Sequence, residues 1–296
     1  KMALIGINAP KMRVEGTTHV RGCFQYKDID IAVKSVIGLI LEPIPAALVG
    51  LVGVGICIWF KIGPAGSGDV TKVIKSNQAV SWGLAGFSNS TVWLIFAAFM
   101  IGLGYQKSGL GRRMALILIK LLGKTTLGLG YAIAIADGIL APFIPSNSAR
   151  SGGTLYPIVS SIPPMIGSYP DKEPRKIGGY LIWVSLAATC VTSSMFFTGL
   201  APNLLAMETA TKSGVEAISW FGWFMAFLPA GIILFIATPY LTYIFYPPTS
   251  KGSKEASIWA GEELKKIGSI TSKEWSMIGL AFFALIFWIF GDFFNV

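Results

Sequence analysis

The chain has 296 residues, 53% hydrophobic and only 13% charged, with a mean hydropathy of +0.63. Soluble proteins carry about 25% charged residues, so these charges are too few to cover a water-facing surface. This argues against a soluble enzyme, a disordered chain or a fibre, and for a polytopic membrane protein. The net charge of +9 does not point to nucleic acid, because the basic residues lie in short loops between apolar stretches, as in positively charged cytoplasmic loops. Three scattered cysteines (Cys23, Cys57, Cys190) and the single His19 make a disulfide framework, a zinc site or a histidine triad improbable.

A helix needs about 20 apolar residues to cross a bilayer. Residues 1–30 contain no continuous apolar run and stay unplaced. Ile31–Leu41 is short, carries Lys34, and is broken by Glu42-Pro43-Ile44-Pro45. Ala46–Phe60 is apolar and Gly-rich, 61–77 is polar, and 79–87 is mildly apolar. Thr91–Tyr105 is a strong span, which Ser88-Asn89-Ser90 can cap. Gln106–Lys124 follows, with Lys107, Arg112, Arg113, Lys120 and Lys124 set among apolar residues that fit an amphipathic interfacial helix.

Thr125–Ile144 is apolar but interrupted by Asp137, Pro142 and Pro145, and Thr154–Gly167 is apolar but short. Between them lies a Ser/Asn/Gly-rich segment that continues neither helix. Non-helical backbone at membrane depth is tolerated only inside protein or along a wet cavity. A re-entrant hairpin fits, with its polar tip at mid-depth. Charge counting agrees: Lys/Arg at 107, 112, 113, 120 and 124 before the hairpin and at 172, 175 and 176 after it put both flanks on the cytoplasmic side.

Ile177–Phe197 is the next span, interrupted by Thr198-Gly199-Leu200-Ala201-Pro202-Asn203 and followed by a short helix to Thr209. The loop at 208–216 reads as outside. Ile218–Tyr246 is a long aromatic-rich span, 247–273 a basic cytoplasmic arm, and Trp275–Phe290 opens another span. Going backward, the rule puts 61–77 outside, in conflict with Lys61, Lys72 and Lys75 there. Trp220, Trp223, Trp259 and Trp275 lie near span ends and read as an aromatic belt.

The chemistry concentrates at the two breaks. Ser146, Asn147 and Ser148 offer hydroxyls and an amide suited to a hard monovalent cation or a carboxylate. The half-helix after them would aim its amide end at the same spot; an ordinary helix cap is the bland alternative. At the second break, Gly199 and Pro202 can open a helix and free carbonyls for a cation, and a Pro-kinked helix without ligand explains them as well. Arg150 and Asp137 are charges in an apolar setting, costly to bury. Arg150 could meet a substrate carboxylate, stand in for a bound cation, or pair structurally with Asp137, which itself reads as structural. No nucleophile–base or metal-ligand cluster supports an enzyme.

Several motifs together resemble the divalent anion:sodium symporter (DASS) family. They are Ser108-Gly109-Leu110-Gly111-Arg112-Arg113, Thr126-Leu127-Gly128-Leu129-Gly130-Tyr131, Ala141–Gly153, Arg175-Lys176-Ile177-Gly178-Gly179-Tyr180 and Ala201-Pro202-Asn203-Leu204-Leu205-Ala206. The branch of citrate or tartrate:succinate antiporters and plastid 2-oxoglutarate/malate translocators is the most similar. The resemblance covers about residues 32–294 and implies an all-α polytopic membrane protein. These residues would be the first half of an inverted-repeat transporter, with a re-entrant helical hairpin and an interrupted transmembrane helix. It implies exchange of di- or tricarboxylates by an elevator-type motion, a homodimer, and a multi-pass location in the bacterial inner membrane.

On that basis the substrate-binding residues are Ser146, Asn147, Ser148, Arg150 and Asn203, and a candidate sodium site is Ser146, Asn147 and Gly199. Sodium is the one cofactor considered. The layout expected is scaffold helices at 31–106, the interfacial helix at 107–124, and a transport-domain part at 125–217. That part holds the hairpin 125–167 and the interrupted helix 177–209. A transmembrane helix at 218–246, the arm at 247–273 and the start of a second repeat at 274–296 complete it. Sodium symport, a channel, and a membrane scaffold without transport are the alternatives. Exchange is favoured because a fixed Arg150 charge would be left uncompensated when substrate leaves. The second hairpin and tip of a full member are absent from these residues, so the chain reads as a fragment of little over half a transporter.

Overall fold

The computed structural model describes residues 46–61 and 75–294. Expectations for residues 1–45 and 62–74, including the Ile31–Leu41 stretch and Lys72, lie outside the described residues. The chain forms two units, divided between Asn89 and Ser90. In the first, α1 (Ala46–Trp59) packs on α2 (Ser76–Leu84), where Gly83 leaves room for the Ile58 side chain. A short 3₁₀ turn follows at Ala85–Ser88.

The second unit is all helical among the described residues. It runs α3 (Ser90–Ser108), α4 (Leu110–Leu122), α5 (Thr126–Leu140), a π-helical turn at Ser148–Leu155, α6 (Tyr156–Val159), α7 (Ile162–Met165) and α8 (Gly178–Met195). A 3₁₀ turn at Phe197–Gly199 leads to α9 (Ala201–Lys212), α10 (Trp220–Phe245), α11 (Lys254–Ile267) and α12 (Ser272–Phe294). Three described helices are long and apolar enough to cross a membrane: Gly178–Met195, Trp220–Phe245 and Ser272–Phe290. On α10 and α12 the apolar side chains point outward, Ile233, Phe245 and Phe282 among them. That is the reverse of a soluble fold and the expected state in lipid.

The hairpin leaves by the end at which it enters. Thr126 at its start donates through N and Oγ1 to Lys251 O and Ser250 O, at 3.2 and 2.7 Å. Beyond its finish, Lys176 O accepts from Ser250 N at 3.0 Å and Arg175 O from Thr249 N at 3.1 Å. One short stretch, 249–251, thus joins both flanks. The basic segments at 120–124, 172–176 and 249–254 therefore share one end, as the charge count requires. α10 has 26 residues and spans about 39 Å, so the 213–219 loop lies at the far end.

Amphipathic α4 and α11 lie side by side. Ser257 Oγ donates to Lys120 O and Ser253 Oγ to Gly123 O, each at 2.7 Å. Leu116, Ile119, Ala256 and Ala260 pack into the core, while Ile117, Leu121 and Ile258 stay exposed.

The returning half of the hairpin differs from the expected half-helix. Gly152-Gly153 and then Pro157, Pro163 and Pro164 break it into a π turn and two short helices. Glycine weakens the α-helix, and proline removes the donors that would propagate it.

Candidate functional site

α5 carries the chain about 22 Å inward over its 15 residues. Pro145 ends any continuation, and the tip turns through Ser146–Ser148. Ser146 Oγ accepts from Ala149 N at 3.3 Å, and Asn147 Nδ2 approaches Ser193 Oγ at 3.5 Å. Ser146 and Asn147 are half-buried. Ser148 is exposed, and its hydroxyl has no partner among the described residues.

The second break faces the first. α8 ends at Met195, and Phe196 and Leu200 are extended on either side of the 3₁₀ turn. Ala201 N donates to Pro145 O at 3.1 Å, a direct backbone bond between the two breaks. Asn203 Nδ2 donates to Ser193 O at 2.8 Å and Phe196 O at 3.2 Å, taking up carbonyls that the broken helix leaves open. Thr198 Oγ1 reaches back to Pro142 O at 2.7 Å. A Cβ on Gly199 would stand 3.2 Å from Ser193 O and 3.4 Å from Ala141 O, so only glycine fits without displacement.

Arg150 holds these pieces together. Its side chain is fully buried, as is that of Asp137. Nε donates to Asp137 Oδ1 at 3.1 Å, and Nη1 to Ile144 O at 3.0 Å and Gly199 O at 3.1 Å. Nη2 meets Asn147 Oδ1 at 3.2 Å, Thr189 Oγ1 at 3.0 Å and Thr192 Oγ1 at 3.2 Å. Thr192 in turn donates to the second Asp137 oxygen. A guanidinium has five N–H groups in a rigid fork, and here each of its nitrogens has an acceptor from the fold itself.

This placement bears on two expectations. Arg150 does not point into open space for a substrate carboxylate; it is spent on the structural pair with Asp137 and on both breaks. Its charge is matched by Asp137, so the argument that it would stand uncompensated in an empty carrier does not hold. The sodium set fares similarly. Asn147 Oδ1 and Gly199 O, two of its three members, accept from the same guanidinium. A second cation there would meet that charge at close range, where repulsion in a buried setting amounts to several kcal/mol. In this arrangement Arg150 occupies the place a cation at these oxygens would take.

Two of the tryptophans do more than sit near span ends. Trp220 Nε1 donates to Thr198 Oγ1 and Trp223 Nε1 to Ser194 O, each at 3.0 Å. Trp220 continues a stack running Tyr105, Phe143, Trp288, Trp220, with ring centroids 5.3 to 6.0 Å apart. Trp275 stays exposed. Thr189 and Thr192 are missed as Arg150 ligands. Their spacing of three on one helix face, opposite a buried arginine, is the signal that could have found them.

The family described as "Sodium:sulfate symporter transmembrane region" matches residues 25–296. The chain belongs to this family. It is 48% identical over 272 residues to a citrate/succinate antiporter of Escherichia coli (strain K12), covering 88% of this chain and 55% of that protein. It is 45% identical over 261 residues to an L-tartrate/succinate antiporter of the same strain, covering 86% and 53%. An L-tartrate/succinate antiporter of Shigella flexneri matches to the same extent. The chain thus spans about half the length of the curated relatives it matches. Family and helices together make it a multi-pass integral membrane protein.

Proposed function

We propose that these residues form the hairpin-bearing part of a bacterial inner-membrane carrier that exchanges one di- or tricarboxylate for another. The observation that carries this is the meeting of two helix breaks at one polar point, with the Ser148 hydroxyl exposed. Ser146, Asn147 and Ser148 would donate to one substrate carboxylate. Asn203 would border the site, since its amide nitrogen is already used and its oxygen remains. Arg150 would take the part of a fixed cation: it holds the carbonyls and the amide oxygen that a mobile ion would otherwise hold. The carrier would then need no sodium at this half of the site. Exchange now rests on likeness to antiporters rather than on an uncompensated charge.

The transport-domain assignment to 125–217, the elevator motion and the homodimer belong to the same proposal. Sodium symport is the second reading, favoured by the family's own description.

Counterflow in proteoliposomes, using a version extended to the relatives' full length, separates the two. Exchange predicts uptake of labelled succinate or citrate only against internal dicarboxylate, with sodium or without it. Uptake that requires sodium and no internal counter-substrate overturns it.

A further inference from the structure

A second polar site lies on the returning side of the hairpin, beyond its tip. An open cleft of about 690 Å3 is bordered by the end of α3, the start of α4, the returning hairpin and α11. That is within the usual size of a ligand pocket, about 300–1,000 Å3. Its charged lining is Lys107, Arg112 and Glu263, a net charge of +1. Lys107 is exposed and has no hydrogen-bond or ion-pair partner among the described residues. Arg112 uses Nη2 on Glu263 Oε2 at 2.9 Å and keeps its other donors. The Lys266 hydrogen bond, and then the nearby charges of Lys266 and Arg112, hold the Glu263 carboxyl below its ordinary range. It therefore stays ionised at neutral pH, and the lining keeps its charge.

The rest of the lining is amphipathic. Ser108, Thr154 and Ser161 provide hydroxyls; Tyr105, Ile158 and Trp259 provide apolar and aromatic surface. The cleft borders the α4–α11 pair, whose Ile117, Leu121 and Ile258 are exposed beside Lys120 and Lys254. An amphipathic pair with apolar and basic residues outward lies in a membrane interface, at the end where the basic segments gather. Aromatic residues favour the same depth.

We propose that this cleft binds the headgroup of an anionic phospholipid. The phosphodiester carries one negative charge and balances the lining, with Lys107 and the spare donors of Arg112 on its oxygens. The acyl chains leave along the exposed apolar face of the α4–α11 pair. The cleft is lined by other residues than the carboxylate site at the helix breaks, although the π turn Ser148–Leu155 borders both.

Trp259 in the lining gives a direct readout. The purified chain in detergent micelles is titrated with brominated phosphatidylglycerol, and the quenching lost in Trp259→Phe isolates the cleft. The expected result is saturable quenching of Trp259, about fivefold weaker in Lys107→Gln, as one lysine near an anionic lipid contributes, and restored in Lys107→Arg. Lys107 is exposed and unpaired, so its replacement leaves the fold intact, which circular dichroism checks. Equal quenching by brominated phosphatidylcholine, or no effect of Lys107→Gln, overturns the proposal. Displacement by millimolar inorganic phosphate assigns the cleft to a free anion and overturns the lipid.

Discussion

Among the described residues two arginines are buried against a carboxylate, and they do opposite things. Arg113 on α4 forms a two-pronged pair with Glu274, Nε at 2.6 Å and Nη2 at 3.0 Å. Its remaining donors go to Gly268 O and Ser269 O, in the turn after α11. Glu274 also accepts from Thr271 N at 2.7 Å and donates its own N–H to Thr271 Oγ1, a capping box at the start of α12. Everything Arg113 touches outside its own helix lies within seven residues of one corner. Arg150 touches α5, the hairpin tip, α8 and the second break, up to 49 residues away. The first arginine finishes a helix end. The second substitutes for the hydrogen bonds that two helices lose by breaking, and so allows polar backbone to exist at depth.

The sharpest way to break that comparison is to remove each guanidinium. Arg150→Met leaves Asp137 buried and unpaired and orphans carbonyls of both breaks. We expect a loss of about 3–5 kcal/mol, read as a drop in thermal stability in micelles. The double variant Arg150→Met with Asp137→Leu should recover a large part, because the buried charge is gone. Unchanged stability of the single variant would show that water reaches the site. Arg113→Met should cost less, about 1.5–3 kcal/mol, since Glu274 keeps two hydrogen bonds from Thr271; a larger loss than for Arg150→Met would invert the account.

Smaller effects follow at the glycines beside each arginine. Gly199→Ala forces a Cβ against Ser193 O and should cost about 1–3 kcal/mol. Gly268, at φ 75° and ψ −156°, lies in a region essentially confined to glycine and should cost about 1–3 kcal/mol as alanine, from backbone strain alone. Smallest is Thr125→Ala, which removes the 3.1 Å cap on Gly128 N and should lower stability by about 1 kcal/mol. Melting curves of the three variants rank them.

The contrast also separates what was legible in the sequence. Spans are readable because lipid-facing helices are apolar all round, so length and composition suffice; α8, α10 and α12 fall within a few residues of expectation. The hairpin is readable because Pro145 and the Ser/Asn/Gly run cannot propagate a helix, and because basic flanks must share a side. Arg150 stands out in the sequence as a charge among apolar residues. Its partners do not, since choosing between substrate, cation and Asp137 requires knowing which way a side chain points. Arg113 looked like one more basic flanking residue, because its acid lies 161 positions away. The π turn at the tip, and the indole hydrogen bonds of Trp220 and Trp223, depend on packing that periodicity does not encode.

The central claim is that the hairpin tip, not Arg150, meets the carboxylate. It is tested most directly by labelling. In an extended version freed of its native cysteines, Ser148→Cys is exposed to a membrane-impermeant maleimide with and without succinate or citrate. The account predicts labelling that either carboxylate slows several-fold, without any need for sodium. Labelling indifferent to both carboxylates, with counterflow intact, would contradict it.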